Sequence, residues 1–288
     1  MDNTMPVTVL QKHQRKRFNQ RSQTIAYLTF SIGFLLVIAV IGTLVGDMAI
    51  TTNFTQKNLL PNAAHLFGTD WLGRDMLFRT LKGLSISIFI GLFASVISAI
   101  IAAILGSAAA TLGKKVDAVI TWLVDLVMGI PHLLLLILIS YALGRGTLGV
   151  TVAVAISHWP VLTRVIRGEI LQLREENYVK IAGKLGQSKC KIAIKHMLPH
   201  VFPQFLVGLV LLFPHAILHE AALTFLGFGL PPEQPGIGII LSESMKYLSM
   251  GMWWLAIFPG LALLFTVQLF DLVGGSLRKL IDPHSAQE

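Results

Sequence analysis

Charged residues are scarce in this chain, and cysteine is almost absent. Only 13% of the 288 residues are Asp, Glu, Lys or Arg, whereas 54% are apolar, and the mean hydropathy is +0.70. An ordinary soluble domain carries about 25% charged residues. The single cysteine, Cys190, rules out an intrachain disulfide and a cysteine-based metal cluster. This composition argues against a disordered chain, a disulfide-rich scaffold and a soluble two-domain enzyme, and it favours a membrane protein.

Long apolar stretches predict an all-α integral membrane protein with six transmembrane helices. A helix needs about 20 apolar residues to cross the hydrocarbon core. The third stretch contains Asp125 and Pro131, and the proline should kink its helix. The six predicted spans are residues 25–45, 84–112, 119–143, 148–163, 201–226 and 252–270.

The second stretch carries a small residue at every fourth position: Gly91, Ser95, Ala99 and Ala103. Small residues at this spacing let another helix approach closely in lipid. Small residues are also common in membrane helices in general, so the pattern alone leaves both interpretations open.

The basic residues indicate how the chain is oriented. Six spans place both termini on one side, and 17 of the 23 lysines and arginines lie in the segments of that side. The positive-inside rule therefore predicts cytoplasmic termini. The predicted organisation is a basic N-terminal segment at 1–24, a six-helix transmembrane domain at 25–276 with a cytoplasmic loop at about 168–200, and a cytoplasmic tail at 277–288.

The cytoplasmic loop has the pattern of two short helices. Tyr178, Ile181, Ala182 and Leu185 share one helical face. Gly186 follows where a left-handed C-terminal cap is expected, and Ser188 can cap a second helix that should end near Pro199. Such a loop could lie on lipid headgroups or dock onto a soluble partner.

Several motifs together resemble a known family. The segments 177–186 and 198–199 are similar to the EAA loop of bacterial ATP-binding-cassette importer permeases, in the C-type subunit of the dipeptide, oligopeptide and nickel subgroup. The chain has Lys180-Ile181-Ala182 where the family usually has Glu-Ala-Ala. Further stretches resemble the same subgroup: 67–75, 125–131, 220–232, Leu277-Arg278 and Asp282-Pro283.

The resemblance implies that residues 25–276 form a permease domain in the bacterial plasma membrane. This domain would supply half of a translocation path, driven by separate ATPase subunits. The expected partners are a second permease subunit in a heterodimer, two cytoplasmic ATPases that use ATP and magnesium, and an extracytoplasmic binding protein. No cofactor is expected on this chain, which lacks the glycine-rich phosphate loop of an ATP site. The residues expected to couple to the ATPase are Tyr178, Lys180, Ile181, Ala182, Leu185 and Gly186. Asp70, Arg74 and Asp75 are expected at an outside gate or docking surface.

Histidines supply the one hint about the transported solute. His215 and His219 share a helical face at metal-ligand spacing, next to Glu220. We expect this group to line the path, without a resident metal ion. The pair slightly favours a nickel or other metal chelate over a plain peptide. His132 and His158 have no ligand partner visible in the sequence and are read as core or path residues.

Two other functions remain as alternatives. A self-contained secondary transporter or channel is expected to show inverted repeats or midplane coupling carboxylates, and no such repeat is visible in the sequence. An intramembrane hydrolase built on His215, His219 and Glu220 lacks a recognisable motif.

The charge asymmetry predicts the result of cysteine labelling in intact cells. A cysteine at Thr55 should react with a membrane-impermeant maleimide, whereas a cysteine at Gln187 should react only after the membrane is opened. The reverse labelling pattern would overturn the predicted orientation.

Overall fold

The computed structural model describes residues 20–281, and these are almost entirely helical. A 3₁₀ turn, Phe54–Gln56, follows the first helix, and a π-helical turn, Ala193–Met197, precedes the eighth. Most of the basic N-terminal segment and the Asp282-Pro283 motif lie outside the described residues. The α-helices are α1 (Gln20–Leu44), α2 (Met76–Thr111), α3 (Lys114–Gly129), α4 (His132–Ala142), α5 (Gly146–Glu175), α6 (Asn177–Lys184), α7 (Lys189–Ile192), α8 (Leu198–Phe225), α9 (Ile237–Leu248) and α10 (Trp254–Ile281).

Five helical segments are long and apolar enough to cross a membrane: α1, α2, α5, α8 with its preceding π turn, and α10. They correspond to five of the six predicted spans. Two of them extend well beyond the predicted ends, because α5 continues to Glu175 and α10 to Ile281. Hydropathy marks only the part of a helix that contacts lipid, and both helices continue past their apolar portion as polar, charged turns.

The third predicted span is broken rather than kinked. Its halves, α3 and α4, meet at an angle of 95°. Ile130 is extended between them, with φ −86° and ψ 134°. A proline disfavours helical geometry in the residue before it, and Pro131 follows directly. Gly129, a weak helix former, ends α3 just before this point.

The broken pair nevertheless carries the chain across the membrane. Ile90, in the first half of α2, packs in one cluster with Val150 near the start of α5. Ala110, at the end of α2, packs in another cluster with Ile170 near the end of α5. The two helices therefore run in the same direction, so α3 and α4 must return the chain between them. The all-α fold with six crossings is confirmed.

Small residues of α2 lie where its neighbours approach most closely. Gly91, Ser95 and Ala99 are all buried, and a β-carbon at Gly91 would lie 2.7 Å from the side chain of Ile217 on α8. A β-carbon at Gly106 would lie 2.9 Å from a backbone carbonyl oxygen of α5. The small residues of α2 therefore mark places where another helix approaches closely, which was the first of the two interpretations.

Two features of the helix pattern differ from the sequence prediction. The helix after Ser188 does not end near Pro199, because α7, the π turn and α8 follow one another without a break to Phe225. Pro199 is the second residue of α8 and directly follows the π turn, so the helical run passes through this proline without ending. The short helix α9 was not predicted; it packs its buried face against α8 and α10.

Gly106→Val should destabilise the fold, because the new side chain meets the Thr163 carbonyl and the Ile166 β-carbon. Overpacking of this kind costs about 1–3 kcal/mol. Gly275→Val is the matched control, since a β-carbon at Gly275 meets nothing within 4 Å. Thermal unfolding of the purified variants in detergent measures the difference. Equal melting temperatures for the two variants would show that the contact between α2 and α5 is not close.

Candidate functional site

The turn after α6 has the predicted capping geometry. Gly186 adopts a left-handed conformation with φ +78°. Its amide donates to the carbonyl of Gly183 at 3.1 Å, and the next amide donates to the carbonyl of Ala182 at 3.2 Å. The Ser188 hydroxyl accepts from the Lys191 amide at 3.3 Å at the start of α7. The turn therefore fixes the angle between α6 and α7.

Apolar side chains of α6 lie on both of its faces. Val179 and Ala182 are buried against the cluster formed by the ends of α2 and α5. Tyr178, Ile181 and Leu185 are exposed by 38%, 54% and 76%. We call these three residues the α6 patch. Ala182 thus lies on the buried side of the helix rather than with the patch, and α6 is anchored on one side and open on the other.

Polar contacts around α6 are local. Lys180, the basic residue at the first position of the EAA-like triplet, forms an ion pair with Glu175 at 2.9 Å, and both side chains are largely exposed. Exposed pairs of this kind are weak. Arg174 donates to the Ala110 carbonyl at 2.5 Å and joins the end of α5 to the end of α2.

The segment before α2 is held by a buried charge network. Asp70 is fully buried and accepts from the Arg74 Nε at 2.6 Å and from the Arg79 Nη1 at 2.8 Å. Arg79, itself only 2% exposed, also donates to Glu243 of α9 at 3.0 Å. The contact with Glu243 spans 164 residues and had no signal in the sequence.

Asp75 makes different contacts from Asp70. Its carboxylate accepts from the Leu77 amide at 2.8 Å and caps α2. Its second oxygen lies 2.7 Å from the His65 Nδ1. Asp70, Arg74 and Asp75 therefore organise the loop between α1 and α2 and hold it against α9.

A cavity of about 580 Å³ opens beside the break between α3 and α4. Four histidines line it: His132, His158, His215 and His219. The predicted pair of α8 thus reaches one cavity, and α4 and α5 add two more imidazoles to the same wall. The way α4, α5 and α8 are aligned against one another brings these histidines together, and no local spacing in the sequence predicts that alignment.

Glu220 faces away from the cavity. It is fully buried, and its carboxylate accepts from the hydroxyls of Ser87 on α2 and Thr224 on α8. The structure therefore separates Glu220 from the neighbouring histidines, and its contacts link α8 to α2.

Two ion pairs join α3 to α5 near the end of the membrane domain that carries α6. Arg167 binds both carboxylate oxygens of Asp117, at 2.5 and 2.7 Å. Arg164 pairs with Asp125. Asp125, whose side chain is 58% exposed, thus links the broken span to α5 through an ion pair and not through buried packing.

Comparison with known proteins identifies the family. Residues 101–287, which include the cavity and α6, match the model of the binding-protein-dependent transport system inner membrane component. The chain belongs to this family. It is a permease subunit of an ATP-binding-cassette importer.

Relatives of this permease cover nearly its whole length. A dipeptide transport system permease of Bacillus subtilis is 32% identical over 88% of this chain and 80% of its own. A putative peptide transport system permease of Brucella abortus is 37% identical over 90% of this chain and 89% of its own. A chain of the solved methionine ABC transporter MetNI superposes on this permease with a TM-score of 0.60. The superposition covers 72% of this permease and 98% of that chain, at 16% sequence identity. The two chains therefore share a fold.

Asp70→Asn should destabilise this permease strongly. The change removes the charge that two arginines share and leaves Arg79 buried with Glu243 as its remaining acidic partner. Removing one partner of a buried ion pair costs about 3–5 kcal/mol. Asp47→Asn, at an exposed position of the same loop, is the control. Thermal unfolding in detergent tests the prediction, and a melting temperature equal to that of the control contradicts it.

Proposed function

We propose that this chain forms one half of a peptide-conducting pore, with a second permease subunit as the other half. The observation that carries the proposal is the α6 patch, three exposed apolar side chains on a helix that is otherwise anchored in the fold. An apolar helix face fits a groove on a partner protein. We infer that the partner is a cytoplasmic ATPase subunit, one for each permease.

The inferred orientation follows from the basic residues. The side that carries α6 holds most of the lysines and arginines of the chain, as the positive-inside rule requires of a cytoplasmic face. The loop between α1 and α2 then lies outside, where an extracytoplasmic binding protein would deliver the solute. Its charge network gives that protein a fixed surface rather than a mobile loop.

Energy for transport would come from the partner. The sequence has no glycine-rich phosphate loop, so ATP and magnesium would bind to the ATPase subunits. Movement of an ATPase would displace α6, and the buried residues Val179 and Ala182 would pass this displacement to the ends of α2 and α5.

The proposed solute is a short peptide. The relatives from Bacillus subtilis and Brucella abortus carry peptide transport in their names, and this outweighs the slight preference for a metal chelate that the pair on α8 suggested. The cavity beside the α3–α4 break is the proposed part of the path, with His215 and His219 on its wall.

Gly186→Val should abolish coupling while leaving the membrane domain folded. Nothing lies within 4 Å of a β-carbon at this position, so the cost is the left-handed backbone and not a clash. That cost is about 1–2 kcal/mol, and the turn would change its angle. Gly186→Asn is the matched control, because asparagine tolerates this conformation.

Two measurements read out this pair of variants: co-purification of the ATPase with the permease, and uptake of a labelled dipeptide by cells. The valine variant should lose both, and the asparagine variant should keep most of both. Normal uptake with valine would mean that this turn does not couple ATP hydrolysis to transport.

Peptide import itself is tested in a strain that lacks this chain. Expression of the wild-type chain should restore uptake of a labelled dipeptide, and Leu185→Glu, which places a charge in the α6 patch, should not. Ile104→Leu, a conservative change at an exposed apolar position of α2, should restore uptake as wild type does. Failure of the wild-type chain to restore uptake, with its partners present, would refute the peptide assignment.

A further inference from the structure

Three imidazoles converge in the cavity from three different helices. His132 begins α4, His158 lies in the middle of α5, and His219 lies on α8. Their ring centroids are 4.7, 4.4 and 5.0 Å apart, and each pair of rings is nearly perpendicular. One nitrogen from each ring lies within 4.8 Å of the corresponding nitrogen of the others. This arrangement is compact enough for all three nitrogens to reach one ion.

Backbone carbonyls fix the tautomer of two of the rings. The His158 Nδ1 lies 2.8 Å from the carbonyl of Val154, and the His219 Nδ1 lies 2.8 Å from the carbonyl of His215. A carbonyl only accepts, so each Nδ1 must carry the proton and donate it. The Nε2 of each ring is then left with a free lone pair. Metal-binding histidines are oriented by the same kind of contact to a backbone carbonyl.

Two of the nitrogens are buried without a hydrogen bond. No partner among the described residues reaches the Nε2 of His132 or of His158, and the His158 side chain is more than nine-tenths buried. Buried polar atoms in native proteins normally have a partner. A cation bound among the three rings would give these two nitrogens the partner that they lack.

The donor set defines the kind of cation. The three groups are nitrogen donors, whereas magnesium and calcium require oxygen ligands. Glu220 is bonded elsewhere, and the residues that line the cavity include no carboxylate. Three imidazoles suit zinc, nickel or copper, and three protein ligands leave a fourth position of a tetrahedral ion open. That position faces a cavity with room for an anionic or water ligand.

We propose that His132, His158 and His219 form a binding site for one divalent transition metal ion. The ion ties the start of α4 to α5 and α8 across the break in the third span. The proposal differs from the predicted pair, since His219 contributes and His215 supplies only its carbonyl to orient that ring. It does not depend on the transported solute, because the ion can bind in the absence of transport.

Metal titration of the purified full-length chain tests the site directly. The protein should carry no oligohistidine tag, and Ni²⁺ and Zn²⁺ are titrated in detergent by calorimetry. One ion should bind per chain, and His158→Ala should weaken binding by about 100-fold or more, beyond the loss caused by removing an orienting contact alone. His200→Ala, an exposed histidine of α8 outside the cavity, should bind as wild type does.

Co²⁺ supplies a second readout that depends on geometry. A tetrahedral site gives intense visible absorption, which should appear with the wild-type chain and vanish in His132→Gln and His219→Gln. These substitutions keep polar side chains of similar size, and an unchanged gel-filtration profile shows that they fold. Metal binding of equal affinity in wild type and all three variants, or no binding to wild type, overturns the proposal. Peptide uptake is measured separately, so its failure would leave this result standing.

Discussion

Close contact of α2 with α5 and α8 is the constraint on which the rest of the structure depends. Between helices in lipid the hydrophobic effect supplies little driving force, so association relies on van der Waals contact and interhelical hydrogen bonds. Gly91 and Gly106 bring neighbouring backbones to distances that a side chain would prevent. Glu220 of α8 accepts a buried hydrogen bond from the Ser87 hydroxyl of α2. The cavity and the α6 patch are built on the two helices that α2 holds in place.

Much of the fold could be predicted because lipid imposes long apolar segments. The six crossings and the turn at Gly186 follow from local sequence. The small-residue spacing of α2 allowed two interpretations, and the close contact at Gly91 decides between them. The helix α9 could not be predicted in this way, since its 12 residues are too few to cross a bilayer and only part of its surface is apolar. Likewise, the end predicted near Pro199 was wrong, because the helical run continues from α7 through the π turn and past this proline into α8. Local π adjustments of this kind accommodate a proline within a helix.

Proline shows the limit of local reasoning most clearly. Pro203, Pro214 and Pro259 lie inside continuous helices, whereas Pro131 lies in a break of 95°. Neighbouring helices and small local adjustments can satisfy the carbonyl that a proline leaves free. At Pro131 the preceding pair of residues, a glycine and an extended isoleucine, ends the helix first. The histidine cavity depends on this break. Its histidines come from three helices, and the alignment of those helices against one another is not specified by local sequence.

The length of α5 gives the molecule a mechanical connection between its two sites. Its 30 residues correspond to about 45 Å of helix, longer than the hydrocarbon core of about 30 Å. One end reaches α6 and the middle carries His158, with no loop between them to absorb a displacement. Pro160 is the one interruption in the hydrogen-bond ladder of this helix, so bending strain concentrates there. A displacement of α6 would therefore act on a helix whose flexible point, Pro160, itself lines the cavity.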